Sequence, residues 1–530
     1  MKRCPECRRD YYDDTMLYCL DDGNALLEGP ASADEPATAI LLSINQMNEA
    51  STRVFRTGGF STTDVKNSIA VLPFVNMSAD VENEYFCDGL AEELLNALAK
   101  IDDLKVVART SAFSFKGKNI NVSEIGRILN VKTVLEGSVR KEDAQVRITV
   151  QLINAADGYH IWSERYDREM RSIFDIQDEI TLAVVDALKL KLLGDEMDAV
   201  LKRYTENTEA YELYLKGRFH YQKYTPGDWL KAIDFFDQAI AKEPEYAPAY
   251  ANLASVLAFC WYFDVLPRAE TAGKWLSASK TVLELDAELD EAHSTMARFH
   301  FYYERNWAEA EKEFLKALKL NRRNAEIWQQ YGIFLAVVGR KEEAVRHAVK
   351  ALELDPLSLM NNLQAGWVHL FVGRTDEVLQ IGHKLLEIDP DFHGAYWQMG
   401  LAFLAKEMFE ESLAAFERAM ALAPSPNVLS HIGAVYGELG KLDEAAKVAE
   451  QLIAMRQQQP VAAYNLARVY SRMGDFDKAF EWLEISLEDN DGELVFLNAE
   501  IRPKEPGTFG IAIRQDTRFM DILRRVGLPQ

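Results

Sequence analysis

The sequence predicts a multidomain chain: a small cysteine-bearing module, an α/β domain, and a long all-α solenoid of about eight helical hairpins. Three observations carry that reading. Cys4, Cys7 and Cys19 cluster near the start of the chain. Period-two alternation of apolar residues is confined to the stretch before residue 195. Beyond residue 205 small residues and prolines recur every 34 positions, as in Gly332, Gly366 and Gly400 and in Pro356, Pro390 and Pro424.

The bulk numbers agree. A chain of 530 residues exceeds what one core organises. Hydrophobic content of 48% and aromatic content of 11% suffice for packed cores and exclude global disorder. The formal charge of −24 disfavours duplex nucleic acid, which is held by clustered Lys and Arg. Such charge normally lies on the wet faces of helices, with a preference for basic partners as the alternative. The five cysteines show no paired spacing, which points to a reducing compartment rather than a disulfide framework. Met1-Lys2-Arg3-Cys4-Pro5 has no apolar core behind it, and no window approaches 18 apolar residues. The expectation is a soluble, cytoplasmic chain without a signal peptide or membrane span.

Residues 1–27 form the cysteine module. Cys4-Pro5-Glu6-Cys7 has the spacing of a metal knuckle, in which two thiolates wrap one ion. Cys19-Leu20-Asp21-Asp22-Gly23 follows after a gap, and no histidine occurs before His160. A structural zinc site takes four ligands. Cys4, Cys7 and Cys19 supply three, and Asp22, where a second CxxC would end, is the candidate fourth, with Asp21 or water as alternatives. The segment resembles short bacterial zinc ribbons at the start of signalling proteins. That resemblance implies a structural Zn2+, with an unmetallated remnant as the other reading. Residues 28–67, with Gly29-Pro30-Ala31-Ser32 and Thr57-Gly58-Gly59, read as a flexible linker.

Residues 68–195 read as the α/β domain. Strands are expected at Ser68–Phe74, Leu104–Ala108, Thr133–Arg140, Gln145–Ile153 and Tyr159–Tyr166, with helices at 84–100, Asn121–Leu129 and Ile173–Leu192. In the fourth strand Val146, Ile148, Val150 and Leu152 alternate with Arg147, Thr149 and Gln151, so one face is core and the other wet. Asp88, Glu92 and Glu93 fit the acid preference of a helix N-terminus. Cys87 reads as a small buried side chain, with a reactive thiol as the alternative. The blocks Ser68–Phe74, Tyr85-Phe86-Cys87-Asp88-Gly89-Leu90, Val134–Arg140 and Trp162–Asp167 resemble the TolB amino-terminal-like (FlgO-like) domain. In bacteria that domain often precedes tetratricopeptide repeats, and the pair is attached to a cyclase, a kinase or a winged-helix regulator.

Residues 205–490 hold the hairpin repeats, and 491–530 a C-terminal cap. Around Gly332 stand Trp328, Ala344, Ala351 and Pro356; around Gly400 stand Tyr396, Phe416, Ala419 and Pro424. Gly339, Gly373, Gly440 and Gly474 punctuate the turns within units. This register resembles the tetratricopeptide repeat. One hairpin cannot bury its own apolar face, so hairpins stack into a superhelix with a concave groove lined by first helices. The groove positions are Tyr214, Arg218, Tyr221, Arg298, Tyr302, Gln329, Ile333, Leu363, Trp367, Trp397, Leu401, Tyr464, Arg468 and Arg472. Each is equally a packing candidate. Four arginines in the set suggest an acidic or carboxylate-ended peptide, against the alternative of solvated arginine. The unit between Ala254 and Ala297 is too long, so either its helices are lengthened or a loop projects.

No phosphate loop, kinase motif set or cyclase-length domain is found, so no catalytic residue is assigned. The expected function is a non-enzymatic scaffold or adaptor in bacterial signalling that binds proteins or peptides. The alternatives are a regulator touching nucleic acid through the cysteine module, or an accessory subunit of a cyclase or kinase system.

Overall fold

The computed structural model describes residues 67–192, 194–498 and 511–528, together with the backbone of three short strands nearer the start. Residues 1–65 and 66–530 are two compact units. In the first, β1 (Lys2–Arg3) pairs antiparallel with both β2 (Asp10–Tyr11) and β3 (Leu27–Glu28). Cys4, Cys7, Cys19 and Asp22 lie outside the described residues, as does most of the linker.

The second unit begins with a mixed sheet. β4 (Ser68–Val71) runs parallel to β6 (Lys105–Val106) and to β7 (Thr133–Glu142), and β5 (Val75–Asn76) extends the parallel pairing with β7. β8 (Gln145–Asn154) and β9 (His160–Glu169) add antiparallel, giving the order β6-β4-β7-β8-β9. The alternation in β8 does what it predicts: Val146, Ile148, Val150 and Leu152 are buried. The turn at Ala156-Asp157-Gly158 closes on Gly158, whose φ of +75° places it in the left-handed region. α1 (Glu84–Ala99) and α4 (Ile173–Ala187) cover one face; α2 (Arg109–Phe113) and α3 (Val122–Leu129) pack over the β4 end of the other. Several boundaries differ from expectation: β4 ends at Val71 rather than Phe74, β7 runs to Glu142, and β9 spans His160–Glu169 rather than Tyr159–Tyr166. The run from Leu104 to Ala108 is a strand only at 105–106, because the chain turns into α2 at Arg109. α4 stops at Ala187, five residues early, and α5 (Gly194–Val200) follows.

Eight helical hairpins follow, pairing α6 (Thr208–Tyr221) with α7 (Pro226–Lys242), α8 (Ala247–Tyr262) with α9 (Arg268–Leu285), and α10 (Asp290–Arg298) with α11 (Trp307–Leu320). Then come α12 (Ala325–Val337) with α13 (Lys341–Leu354), α14 (Leu359–Phe371) with α15 (Thr375–Ile388), and α16 (His393–Ala405) with α17 (Phe409–Leu422). The last two are α18 (Pro426–Glu438) with α19 (Leu442–Arg456), and α20 (Ala463–Met473) with α21 (Phe476–Glu488). The long second unit is explained by longer helices: α8 and α9 have 16 and 18 residues, against 13 and 14 for α12 and α13. Of its aromatics, Trp261 is fully buried, while Phe263 remains exposed and stacks on Trp229. After α21, residues 491–497 tuck inward, and α22 (Ile511–Arg514) and α23 (Thr517–Val526) end the described chain.

The recurring small residue is a close-approach site. A methyl group on Gly217 would lie 2.5 Å from the Phe236 ring, and one on Gly400 would lie 2.6 Å from Phe416. The intra-unit turn glycines Gly339, Gly373, Gly440 and Gly474 all have positive φ; in the sixth hairpin Glu407 takes the same conformation. Replacing Gly400 by alanine should overpack the fully buried Phe416 and lower stability by about 1–3 kcal/mol. Chemical denaturation of the purified G400A chain measures this; an unchanged midpoint would show that the close approach is not required.

Candidate interaction surface on the inner face of the repeats

The residues expected to line the groove fall on the first helices α6, α10, α12, α14, α16 and α20, with Tyr302 on the helical continuation of α10 at Phe299–Glu304. Most of them are engaged by the chain itself. At the start of the array α1 lies against α6. Arg218 on α6 donates from Nη2 to Glu92 Oε1 at 2.5 Å and from Nη1 to Glu93 Oε1 at 3.2 Å, with a third bond to the Tyr214 hydroxyl. Arg109 approaches the same Glu92 at 3.0 Å. Tyr214 itself packs against Phe236 and Tyr246.

The turns between hairpins also hold the α/β domain. Arg323, before α12, donates to the backbone carbonyls of Ala99, Ile101, Asp102 and Leu104. These are acceptors at and just past the C-terminus of α1, where carbonyls lack intrahelical partners. Asp355, before α14, accepts from Thr110 and from Ser111, the latter at 2.6 Å, and Ser111 Oγ accepts from the Leu357 amide.

Next to this contact Tyr221 rests on Phe259 and Tyr224, and the Arg298 guanidinium lies over Phe259, 3.6 Å from Glu326. Glu326 keeps 47% of its side chain open to water, yet burial raises its carboxyl pKa. Burial likewise raises Glu93, and Glu291 is raised by burial and then by the Asp290 carboxylate beside it. Glu326 and Glu93 keep part of their side chains open to water, whereas Glu291 Oε2 is buried.

At the other end residues 491–497 pass inside the array. Asp491, almost fully buried, pairs with Arg268 and accepts from the Tyr464 amide at 2.9 Å. Glu493 pairs with Arg468 at 2.5 Å, and the Arg468 guanidinium lies over Tyr464. Phe496 stacks on Phe371 at 4.8 Å and meets Tyr302 edge-on. Arg472 pairs with Glu438 at 2.5 Å.

Thus Tyr214, Arg218, Tyr302, Tyr464 and Arg468 meet other parts of the chain, and Tyr221 and Arg298 meet one another. Gln329, Ile333 and Leu401 are buried in inter-helix packing. All four arginines expected to await an acidic ligand face carboxylates of this chain. Leu363, Trp367 and Trp397 stay half-buried on α14 and α16, the two indoles meeting edge to face at 5.2 Å. Glu92 and Glu93 lie in the middle of α1 rather than at its N-terminus, where Glu84 is the first-turn acid; they face Arg218, and Glu92 also meets Arg109. No sequence pattern distinguishes them from solvated helix acids, because their partner Arg218 belongs to another module. Cys87 is fully buried, and burial pushes its thiol up to about 12, which leaves it a packing residue. Among the described residues no group of His, Cys, Asp and Glu is placed to hold a metal ion, and no helix is long and apolar enough to cross a membrane.

Comparison with known proteins places the repeats firmly. Tetratricopeptide-repeat models match residues 393–426 and 438–496. The model of the HilA/YgeH-like transcriptional regulator second domain matches residues 65–183, the region for which a TolB-like domain was expected. A curated relative, putative adenylate cyclase 3 of Rhizobium meliloti (strain 1021), is 36% identical over 234 residues, 44% of this chain and 40% of its own. The chain therefore spans under half the length of that relative. Among solved structures, YrrB, described as a TPR protein with an unusual peptide-binding site, is 24% identical over 36% of this chain and 92% of its own, with a TM-score of 0.25. PilW, described as a type IV pilus biogenesis factor, is 20% identical over 41% and 97%, with a TM-score of 0.33. The C-terminal region is a tetratricopeptide solenoid, preceded by a small mixed sheet.

Removing the Arg218 guanidinium leaves Glu93 without its nearest cation and Glu92 with Arg109 alone. R218A should cost on the order of 3 kcal/mol and speed proteolysis in the 188–207 connection. Thermal unfolding and timed trypsin digestion check both; wild-type behaviour in each would show that the pair does not hold α1 to α6.

Proposed function

We propose that the chain is a non-enzymatic protein-interaction scaffold of bacterial signalling, with partner peptides bound on the inner face of the fifth and sixth hairpins. One observation carries this reading. Leu363, Trp367 and Trp397 are partly open on consecutive first helices, whereas α1 engages the first hairpin and residues 491–497 engage the eighth, reaching α14 only at Phe371. Half-buried aromatic and aliphatic side chains on a rigid helical surface are the usual anchors of peptide binding. The acidic-ligand reading has less support, because the inner arginines are already neutralised. The test is selection of peptides from a displayed random library on the full chain, followed by calorimetry. L363R and W397A should weaken the selected peptides at least tenfold, about 1.4 kcal/mol, without loss of fold by circular dichroism. Equal affinity in both folded variants would overturn the site.

The relationship with the putative adenylate cyclase favours a second reading, in which these modules are the accessory part of a cyclase-type signalling system acting on a separate output protein. On either reading the chain alone should form no cyclic AMP from ATP with Mg2+ or Mn2+. Turnover above a buffer control would overturn the non-enzymatic assignment.

The reading of residues 1–27 as a zinc ribbon rests on chemistry: Cys4 and Cys7 fall in the sequence between β1 and β2, with the spacing of a knuckle. Elemental analysis should give one zinc per chain, and C4S should lose it with little effect on the unfolding of residues 66–530. Metal-free wild-type protein purified without chelator would end this assignment.

A further inference from the structure

β9 stands at the end of the sheet and pairs only with β8 among the described residues. It is ten residues long, and of these only Trp162 and Tyr166 are not exposed. An open edge of this length is a template for another strand, and proteins usually defend such edges with charge. The charges here have an order of their own. From Glu164 they run Glu164, Arg165, Tyr166, Asp167, Arg168: negative, positive, neutral, negative, positive.

The free side of the strand can be assigned. The Met170 amide donates to the Ala144 carbonyl at 2.7 Å, and antiparallel hydrogen-bonded pairs alternate from there along the β8–β9 register. Residues 164, 166 and 168 therefore bond to β8, while the amides and carbonyls of Ser163, Arg165, Asp167 and Glu169 point away from it. The register slip at Leu152/Ile153 ends the regular edge near Trp162. Seven residues remain, 163–169, the length of an ordinary strand.

A second copy can lie antiparallel on this edge only with odd residues opposite odd residues. Centring the two-fold axis on Arg165 sets two Arg165 side chains against each other; centring it on Glu164 or Asp167 opposes like acids. Centring it on Tyr166 sets Arg165 opposite Asp167 of the second copy and Glu164 opposite Arg168 of the second copy. Asp167, which already accepts from Arg147 at 2.5 Å and lies 3.0 Å from Arg165 of its own chain, would then also face Arg165 of the other. We propose that β9 is a homodimerisation edge: two copies pair antiparallel over residues 163–169 about Tyr166, joining their sheets into one with self-complementary charge. This two-fold contact uses the same residues from both copies, as isologous interfaces do.

The test uses the full chain. Analytical ultracentrifugation should show a dimer for wild type. R165D and D167R should each raise the dissociation constant at least tenfold, since each places like charges across the axis. Mixing the R165D chain with the D167R chain should restore a dimer, because the mixed pair has opposite charges at both positions. Both side chains are exposed, so circular dichroism should be unchanged. The register is tested separately: E164C/R168C should form a disulfide-linked dimer on mild oxidation, and E164C alone or wild type should not. A wild-type monomer at about 100 μM, a dimer insensitive to R165D, or variants that stay apart on mixing would overturn the proposal.

Discussion

A stacked array of helical hairpins leaves an apolar face bare at each end, and in residues 66–530 both faces are closed by the chain itself. At the first hairpin the cover is α1. Leu90 and Leu94 share one core with Tyr211, Leu215 and Phe236, and Gly89 lets Leu215 come close enough that a methyl there would sit 2.7 Å from it. Apolar contact gives this junction its area, and Arg218 between Glu92 and Glu93 gives it orientation. A guanidinium offers a planar fork of donors, so it fixes angle as well as distance. At the far end α23 packs on α21, and the Trp307 indole donates to the Gly527 carbonyl at 2.7 Å.

The parts of the fold set by local rules were readable. The 34-residue register of Gly332, Gly366 and Gly400 gave the hairpins; at Gly400 the crossing tolerates only a small side chain, because a methyl would lie 2.6 Å from Phe416. The alternation in β8 gave its two faces. Element ends were less legible: Leu104 and Val107 are both buried, but an apolar run does not say whether its backbone pairs with a neighbour or turns away. The inner surface was least legible. Register places Arg218, Arg298, Arg468 and Arg472 on first helices correctly, but it carries no information about which distant carboxylate meets each one. The partners of Arg298, Arg468 and Arg472 lie within about one repeat, but Glu92 belongs to the α/β domain, and only the closed fold brings it to Arg218.

The inner side also carries carboxyls that burial perturbs. Concave solenoids ordinarily present their inner residues to bulk water. Here burial raises the Glu291 and Glu326 carboxyls, and Arg298 lies 3.6 Å from Glu326. Charges there interact more strongly than on an open surface, which favours the pairing of Arg298 with Glu326 and raises Glu291 beside Asp290.

The pairing of Asp491 with Arg268, together with the stacking of Phe496 on Phe371, links the eighth hairpin to the second and the fifth. An open coil of hairpins behaves as a spring: each interface gives a little, and the pitch extends or tightens under load. A coil clasped to itself has no such freedom. Its inner face has one fixed curvature, and tension applied at the last hairpin is carried across the clasp to the second instead of being spread along six interfaces. Such an array acts mechanically as a closed clasp rather than as a spring.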